Sequence, residues 1–141
     1  YVTLTWAWQP GDVVELDLEM RPRLTAPNPR VDAIRGSLAI ERGPLVYCLE
    51  EEDQEADVNL LDVRLVPDAE LEAAWREDLL GGVFTVTAEG YVADVRDWEA
   101  ALYRPAPVPE TVARPVELIA VPYYAWANRT PGAMRVWIPE G

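Results

Sequence analysis

The 141-residue chain carries 25 acidic and 12 basic side chains, giving a formal net charge of −13, with one cysteine and no histidine. This inventory excludes a Ser-His-Asp triad, a Cys-His pair and a zinc site built from the usual nitrogen and sulfur ligands. Strong acidity argues against a nucleic-acid partner, because phosphate contacts need basic side chains. No apolar run approaches the ~20 residues of a membrane span, so a membrane partner is not expected either.

The first twenty residues show the period-2 alternation of a half-buried antiparallel hairpin. Apolar and polar residues alternate on both sides of a Pro10-Gly11-Asp12 turn. Trp6 and Trp8 are in phase with the apolar positions, so the pattern predicts that both belong to a core.

Three prolines within residues 21–30 indicate a linker between domains, because each removes an amide donor and holds the chain extended. We therefore expect residues 1–22 to be the terminal hairpin of a preceding β-sandwich domain. Residues 23–141 are then a C-terminal β-sandwich domain, and the chain is a piece of a longer protein.

Short apolar segments between Gly and Pro turns predict strands in the rest of the chain. They are residues 31–34, 37–41, 45–49, 60–66, a hairpin of 83–88 and 91–95 turning at 89–90, then 116–121 and 134–138. Good helix formers at residues 68–79 predict one short helix, and the proline-rich residues 97–115 predict no regular structure. The fold class expected is all-β, an antiparallel β-sandwich or jelly roll with at most one short helix.

Cys48 and the acidic run at residues 50–57 are the first places to look for chemistry. Cys48 lies in an apolar strand with no histidine to activate it, so a buried small side chain is the favoured interpretation. The six acids of the run could hold Ca²⁺, but they lack the spacing of a calcium loop, and a solvated like-charge loop is favoured.

The aromatic stretch near the C-terminus offers the best candidate for binding. Tyr123, Tyr124 and Trp126 could form a packed corner or an exposed platform for a sugar face or a protein interface. Arg129 could make a buried ion pair or stack on an aromatic ring. These four residues are the sugar-binding or interface candidates, and no residue is assigned to catalysis or to a metal.

Three stretches resemble glycoside hydrolase family 127, the β-L-arabinofuranosidase family. The run GSLAIERGPLVYCLE at 36–50 is similar to the opening of the family's C-terminal domain. The run IAVPYYAWANR at 119–129, followed by MRVWI at 134–138, resembles its closing signature, although Thr130 stands where Gly is expected. The opening WQPGD at 8–12 resembles the end of the family's middle β-sandwich domain.

The resemblance implies that catalysis belongs to an (α/α) barrel outside this chain. In that barrel a cysteine nucleophile sits on a zinc ion held by cysteines and a glutamate, and no such motif occurs here. We expect a non-catalytic part that supports the barrel of the same parent chain and contributes to a homodimer, with no cofactor in this fragment. A cytoplasmic location is expected from the single cysteine.

Two other functions stay open. The chain could be an arabinoside-binding module that presents Tyr123, Tyr124, Trp126 or Trp75 to the sugar. It could also be a self-sufficient enzyme with paired carboxylates, although 25 acids make close pairs a non-specific signal.

Overall fold

The computed structural model describes residues 1–98, 101–107 and 113–141. Within these residues the regular structure is nine β-strands and single 3₁₀ turns, without an α-helix. The strands are β1 Pro22–Thr25, β2 Ser37–Arg42, β3 Leu45–Glu50, β4 Val63–Leu65, β5 Leu71–Arg76, β6 Val83–Ala93, β7 Ala113–Pro122, β8 Met134–Arg135 and β9 Ile138–Pro139. The predicted all-β antiparallel fold class is confirmed.

One curled antiparallel sheet contains all nine strands, in the order β1-β2-β3-β7-β6-β4, with β5 on β6, β8 on β3 and β9 on β2. β4 and β5 pair with successive stretches of the eleven-residue β6. β9 pairs with β2 and also reaches β4, where Leu65 and Glu140 form a parallel bridge. The sheet therefore bends back towards itself around one core.

The core occupies the inside of this curl, because alternate residues of each strand point inwards. Its buried members are Leu38, Ile40, Tyr47, Leu49, Val58, Leu60, Val63, Leu65, Val86, Ala88, Val116, Leu118, Ala120 and Ile138. The strongest predicted strand, residues 45–49, lies in the middle of the sheet between β2 and β7, where both of its faces are largely covered.

The helix predicted at residues 68–79 is wrong, because β5 occupies Leu71–Arg76. β5 pairs with β6 over six residues, from Leu71 opposite Ala88 to Arg76 opposite Val83. Leu71 and Ala73 pack on the core two residues apart, which is strand spacing. The free edge of β6 thus overrides local helix propensity.

The hairpin predicted around residues 89–90 is also wrong, because β6 runs straight through both residues. Gly90 is needed there for close packing instead of a turn. A Cβ at Gly90 would lie 2.6 Å from the Arg64 carbonyl oxygen and 2.5 Å from Leu118 Cδ1.

The N-terminal segment differs from expectation in its packing. The Pro10-Gly11 turn is present, closed by a 3.1 Å bond from the Asp12 amide to the Gln9 carbonyl, but no strand flanks it. Trp6 and Trp8 are 74% and 54% exposed, so their assignment to a core is wrong within this chain. A lone hairpin has no third element on which to bury its apolar face.

Smaller differences affect the ends of elements. Residues 21–30 contain β1 instead of an unstructured linker, and Pro22 is tolerated because it opens an edge strand. The strand predicted at 31–34 is a 3₁₀ turn, the one at 60–66 shortens to β4, and the one at 134–138 splits into β8 and β9. Part of 97–115 lies outside the described residues, and β7 begins within that range at Ala113. The division into domains at residue 22 stays a prediction.

Replacing Gly90 by Ala should destabilise the chain by about 1 to 3 kcal/mol, because the added methyl meets backbone and a packed leucine. Urea unfolding of the variant measures this loss. Gly132→Ala is the matched control, since its Cβ comes no closer than 3.4 Å to any neighbour. Equal midpoints for the two variants would contradict the close packing at Gly90.

Candidate functional site

The acidic run begins as a tight turn at the end of β3, and we call residues Glu50–Asp53 the acidic turn. Glu51–Asp53 form one 3₁₀ turn directly after β3. Glu50 is 6% exposed and the Asp53 side chain 9%, so the expectation of a solvated loop is wrong for these two residues. Buried carboxylates need a cation or several donors, and the turn has both.

Arg129 supplies the cation, and together with Glu50 and Asp53 it forms the ion cluster. Arg129 Nη2 lies 2.6 Å from Glu50 Oε2, and Nη1 lies 2.7 Å from Asp53 Oδ1. The Arg129 side chain is 17% exposed. Hydrogen bonding to Asp53, partly opposed by burial, raises the pKa of Arg129. Of the two uses considered for Arg129, the structure has the ion pair.

The aromatic corner, defined as residues 123–129, lies on this cluster. Tyr123–Ala125 form a 3₁₀ turn closed by a 3.2 Å bond from the Trp126 amide to the Tyr123 carbonyl. Residues three apart eclipse each other in 3₁₀ geometry. The rings of Tyr123 and Trp126 accordingly stack, 6.0 Å between centroids and 7° between planes.

The corner exposes its rings to solvent. Tyr123, Tyr124 and Trp126 are 45%, 67% and 39% exposed. Tyr124 lies outside the stack and interacts electrostatically with Tyr47. Trp75 also lies apart, with its ring edge-on to Phe84 at 5.2 Å. The structure therefore joins Tyr123 and Trp126 in one stack, but it leaves Tyr124 and Trp75 separate from that stack.

Hydrogen bonds to carboxylates fasten the corner, and the loop that follows it, to the acidic turn. The Ala127 amide donates to Glu50 Oε1 at 3.2 Å, with Ala127 in the left-handed region at φ 62°. The Thr130 hydroxyl donates to Glu52 Oε1 at 3.1 Å. The amide of Ala133 donates to Glu51 Oε2 at 3.0 Å. Carboxylates of the turn thus hold the loop that follows the stacked rings.

Gln54 ties the acidic turn to the sheet. Its Nε2 donates to the carbonyls of Glu50 and Ile119, both at 2.9 Å, and its Oε1 accepts the Ile119 amide at 3.2 Å. The corner is therefore connected through the turn to the middle of β7. Sequence reasoning missed Glu50 and Asp53 as partners of the corner, because more than 70 residues separate them from Arg129 and only a charge run marks them.

Cys48 lies beside this cluster on β3 and is 1% exposed, as expected for a small buried side chain. Burial, reinforced by the negative charges of Glu50 and Asp53, raises the pKa of Cys48 to about 12. A zinc-bound thiolate needs a deprotonated sulfur and further soft ligands, so this thiol does not fit the family's zinc site. Among the described residues no group of three His, Cys, Asp or Glu side chains could hold a metal ion.

Arg129→Met should destabilise the chain by about 3 to 5 kcal/mol, because two buried carboxylates lose the only cation that the described residues place against them. Chemical denaturation at neutral pH measures the loss. Arg114→Met is the matched control, since Arg114 pairs with Glu55 and Asp57 on the exposed surface and its removal should cost little. Equal losses in the two variants would show that the ion cluster is not a stability centre.

The Cys48 thiol should resist a thiol reagent at pH 8 in the folded chain. With its pKa near 12 against an ordinary 9.0, the thiolate fraction is about a thousandfold lower, so labelling should be at least that much slower than in denaturant. The thiol ionises at a lower pH in the unfolded chain than in the folded chain. Ionisation of Cys48 therefore leaves the free energy of unfolding unchanged below about pH 9 and lowers it as the pH rises towards 12. Rapid labelling without unfolding would contradict the burial.

Comparison with known proteins matches the part of the chain that contains the runs at 36–50 and 119–138. The description "Glycoside hydrolase family 127 C-terminal domain" matches residues 22–139. A non-reducing end β-L-arabinofuranosidase from Bifidobacterium longum subsp. longum is 41% identical over 132 residues, covering 90% of this chain and 20% of that protein.

Solved structures show the same similarity in three dimensions. A family 127 β-L-arabinofuranosidase from Geobacillus stearothermophilus T6 aligns with a TM-score of 0.76 at 42% identity, over 86% of this chain and 18% of that one. A structure described as a glycoside hydrolase aligns at 0.84 with 33% identity, over 96% of this chain and 22% of that one. This chain thus spans about a fifth of each relative's length.

No helix in the described part of the chain is long and apolar enough to cross a membrane. The matched residues include β1 through β9, the acidic turn and the aromatic corner. The chain therefore belongs to glycoside hydrolase family 127, in which it corresponds to the C-terminal domain.

Proposed function

We propose that this chain is the non-catalytic C-terminal β-sandwich of a β-L-arabinofuranosidase-type glycoside hydrolase, which supports the catalytic barrel and contributes to a homodimer. The observation that carries the proposal is the length of the relatives. Relatives with the same fold are about five times longer than the part that this chain matches. Other domains of the same parent chain are therefore its first partners.

The chemistry of the described side chains supports a non-catalytic role. The only thiol is buried and protonated at neutral pH. The buried carboxylates Glu50 and Asp53 are both committed to Arg129, and Glu50 also accepts the Ala127 amide, so neither is free for acid–base work. The zinc and the cysteine nucleophile of the family belong, in this proposal, to the barrel.

The aromatic corner is suited to an interface. Stacked aromatic rings offer large apolar area at low cost in side-chain entropy, and such rings are frequent hot spots of protein association. Here the rings of Tyr123 and Trp126 are partly exposed and stacked on each other, in a corner whose Arg129 is anchored in the ion cluster. We assign the homodimer contact to this corner, and a cytoplasmic location to the protein.

An arabinoside-binding module is the second candidate, and the same stacked rings favour it. An aromatic face exposed beside polar groups can pack on the apolar face of a sugar. In this alternative Trp126 and Tyr123 contact the arabinose, while Arg129 positions the corner from below and does not touch the ligand.

The purified chain should sediment and scatter light as a dimer of twice 15.8 kDa, without saturable heat on titration with a β-L-arabinofuranosyl disaccharide and without turnover of it. Trp126→Ala should raise the dimer dissociation constant about tenfold or more, as loss of an interface anchor does. Trp6→Ala is the control, since Trp6 is an exposed tryptophan outside the corner.

Other results would replace the proposal. Saturable heat that Trp126→Ala abolishes in a folded sample would establish the sugar-binding module instead. Turnover by the chain alone, surviving chelation, would make it an enzyme. A monomer at every concentration, with Trp126→Ala unchanged, would remove the homodimer contact from the corner.

A further inference from the structure

Two arginines meet where the curled sheet closes on itself, and we call Arg64 and Arg135 the arginine pair. Arg64 lies on β4, which pairs with β6, and Arg135 lies on β8, which pairs with β3. β3 and β4 are separated in the strand order by β7 and β6. The two side chains therefore come together only because the sheet bends back towards itself.

Main-chain carbonyls hold both guanidinium groups in place. Arg135 Nη1 lies 2.8 Å from the Leu60 carbonyl oxygen and 3.3 Å from that of Leu61. Arg64 Nη1 lies 3.0 Å from the Val63 carbonyl oxygen and 3.4 Å from the same oxygen of Leu61. The two cations thus share one acceptor, and their positions are set before any ligand arrives. Such preorganisation lowers the entropic cost of binding.

The arginine pair has no counterion within the described part of the chain. Seven of the twelve arginines form ion pairs there, and neither Arg64 nor Arg135 is among them. Burial, together with the positive charge of Arg64, lowers the pKa of Arg135. Two like charges at one carbonyl oxygen repel each other, so an anion between them would remove an unfavourable interaction.

Donors of the arginine pair that make no bond are open to solvent. Arg64 Nε and Nη2 and Arg135 Nη2 accept no partner from the described residues, and none of the three atoms is buried. Both side chains are half-buried, and Leu61, whose carbonyl lies between them, is 72% exposed. A small ligand can therefore reach both guanidinium groups from outside.

We infer that Arg64 and Arg135 form a binding site for a doubly charged oxyanion, the phosphate group of a phosphate monoester or of inorganic phosphate. Such a group carries about −1.5 to −2 charges at neutral pH, which balances two guanidinium groups, and it has three oxygens that accept hydrogen bonds. Guanidinium groups bind phosphate through parallel N–H donors. A carboxylate carries a single charge and would leave one arginine uncompensated.

The charge of the whole chain makes this site selective for a local cause. At a net charge of −13 the chain as a whole repels anions. Phosphate bound to this chain would therefore report a particular pair of cations and no general attraction. The inference does not rest on the proposed function, since both arginines and the carbonyls that hold them belong to this chain.

Calorimetric titration of the 141-residue chain with inorganic phosphate, near pH 7 and at low ionic strength, tests the inference. Saturable binding of one phosphate per chain is expected. Arg64→Gln and Arg135→Gln should each raise the dissociation constant at least about tenfold, because each removes one of the two charges and keeps a side-chain amide as donor. Arg76→Gln is the matched control: it removes the same charge opposite Val83, far along β6 from Tyr91, which lies opposite Arg64.

Urea unfolding supplies a second arm that stays informative if a variant is less stable. Phosphate at ten times its dissociation constant should raise the ratio of folded to unfolded chain about tenfold, because it binds only the folded state. The rise in midpoint should vanish in Arg64→Gln and persist in Arg76→Gln, whatever the starting midpoint of each variant. Sodium acetate at the same ionic strength should bind at least about tenfold more weakly than phosphate.

The outcomes identify the source of the phosphate group and the results that overturn the site. Glucose 6-phosphate that binds as tightly as inorganic phosphate would assign a monoester, and binding of inorganic phosphate alone would assign the free ion. Absence of saturable binding, equal affinity for acetate, or equal losses in Arg64→Gln and Arg76→Gln would each overturn the inference. So would phosphate binding that a longer protein containing this chain lacks, because another domain would then cover the arginine pair.

Discussion

The contact between Arg129 and the carboxylates of Glu50 and Asp53 is the interaction on which the C-terminal part of the domain depends. It joins the end of β3 to a loop nearly eighty residues later, in a region where neither partner is well solvated. Removing ions from water is expensive, and Arg129 offsets that cost through hydrogen bonds to both carboxylates, while Glu50 also accepts the Ala127 amide. The same carboxylates therefore anchor Ala127 and Arg129, directly after the stack of Tyr123 and Trp126.

The long strand β6 has a comparable role for the sheet. β7 follows it on one side, while β4 and β5 share its other side in two consecutive stretches. Gly90 lies where the two stretches meet and admits the Arg64 carbonyl and the Leu118 side chain. Close packing at that one residue allows a single strand to support both β4 and β5.

Much of the fold was predictable from local pattern, and the exceptions have physical causes. The apolar segments at 45–49 and 116–121 are correctly predicted as strands and lie in β3 and β7. An apolar segment between turns indicates a buried strand whichever strands it pairs with. The helix predicted at residues 68–79 is a strand over Leu71–Arg76, because helix propensity is local whereas the β6 edge with which these residues pair lies further along the chain. The sequence pattern predicts a turn at Gly90, because a glycine required for close packing looks the same in sequence as one required for a turn.

The candidate site was predictable by residue type but not by arrangement. The aromatic stretch and its resemblance to the family are enough to single out Tyr123, Trp126 and Arg129. The 3₁₀ turn, which only the structure shows, explains why the rings at 123 and 126 stack. Within the run 50–57, the sequence does not distinguish the acidic side chains that are buried from those that are exposed. Only the three-dimensional path of β3 brings Glu50, Glu52 and Asp53 to Arg129 and buries the first and the last of them.

The short strands at the margins of the sheet have a further consequence for molecular recognition. β1 has four residues and begins with Pro22, β8 and β9 have two residues each, and β5 carries the charged side chains of Glu72 and Arg76. Such margins are poor templates for adding a strand from another chain. Partners of this domain must therefore recognise it through its side chains, and main-chain pairing in the manner of fibril growth is disfavoured.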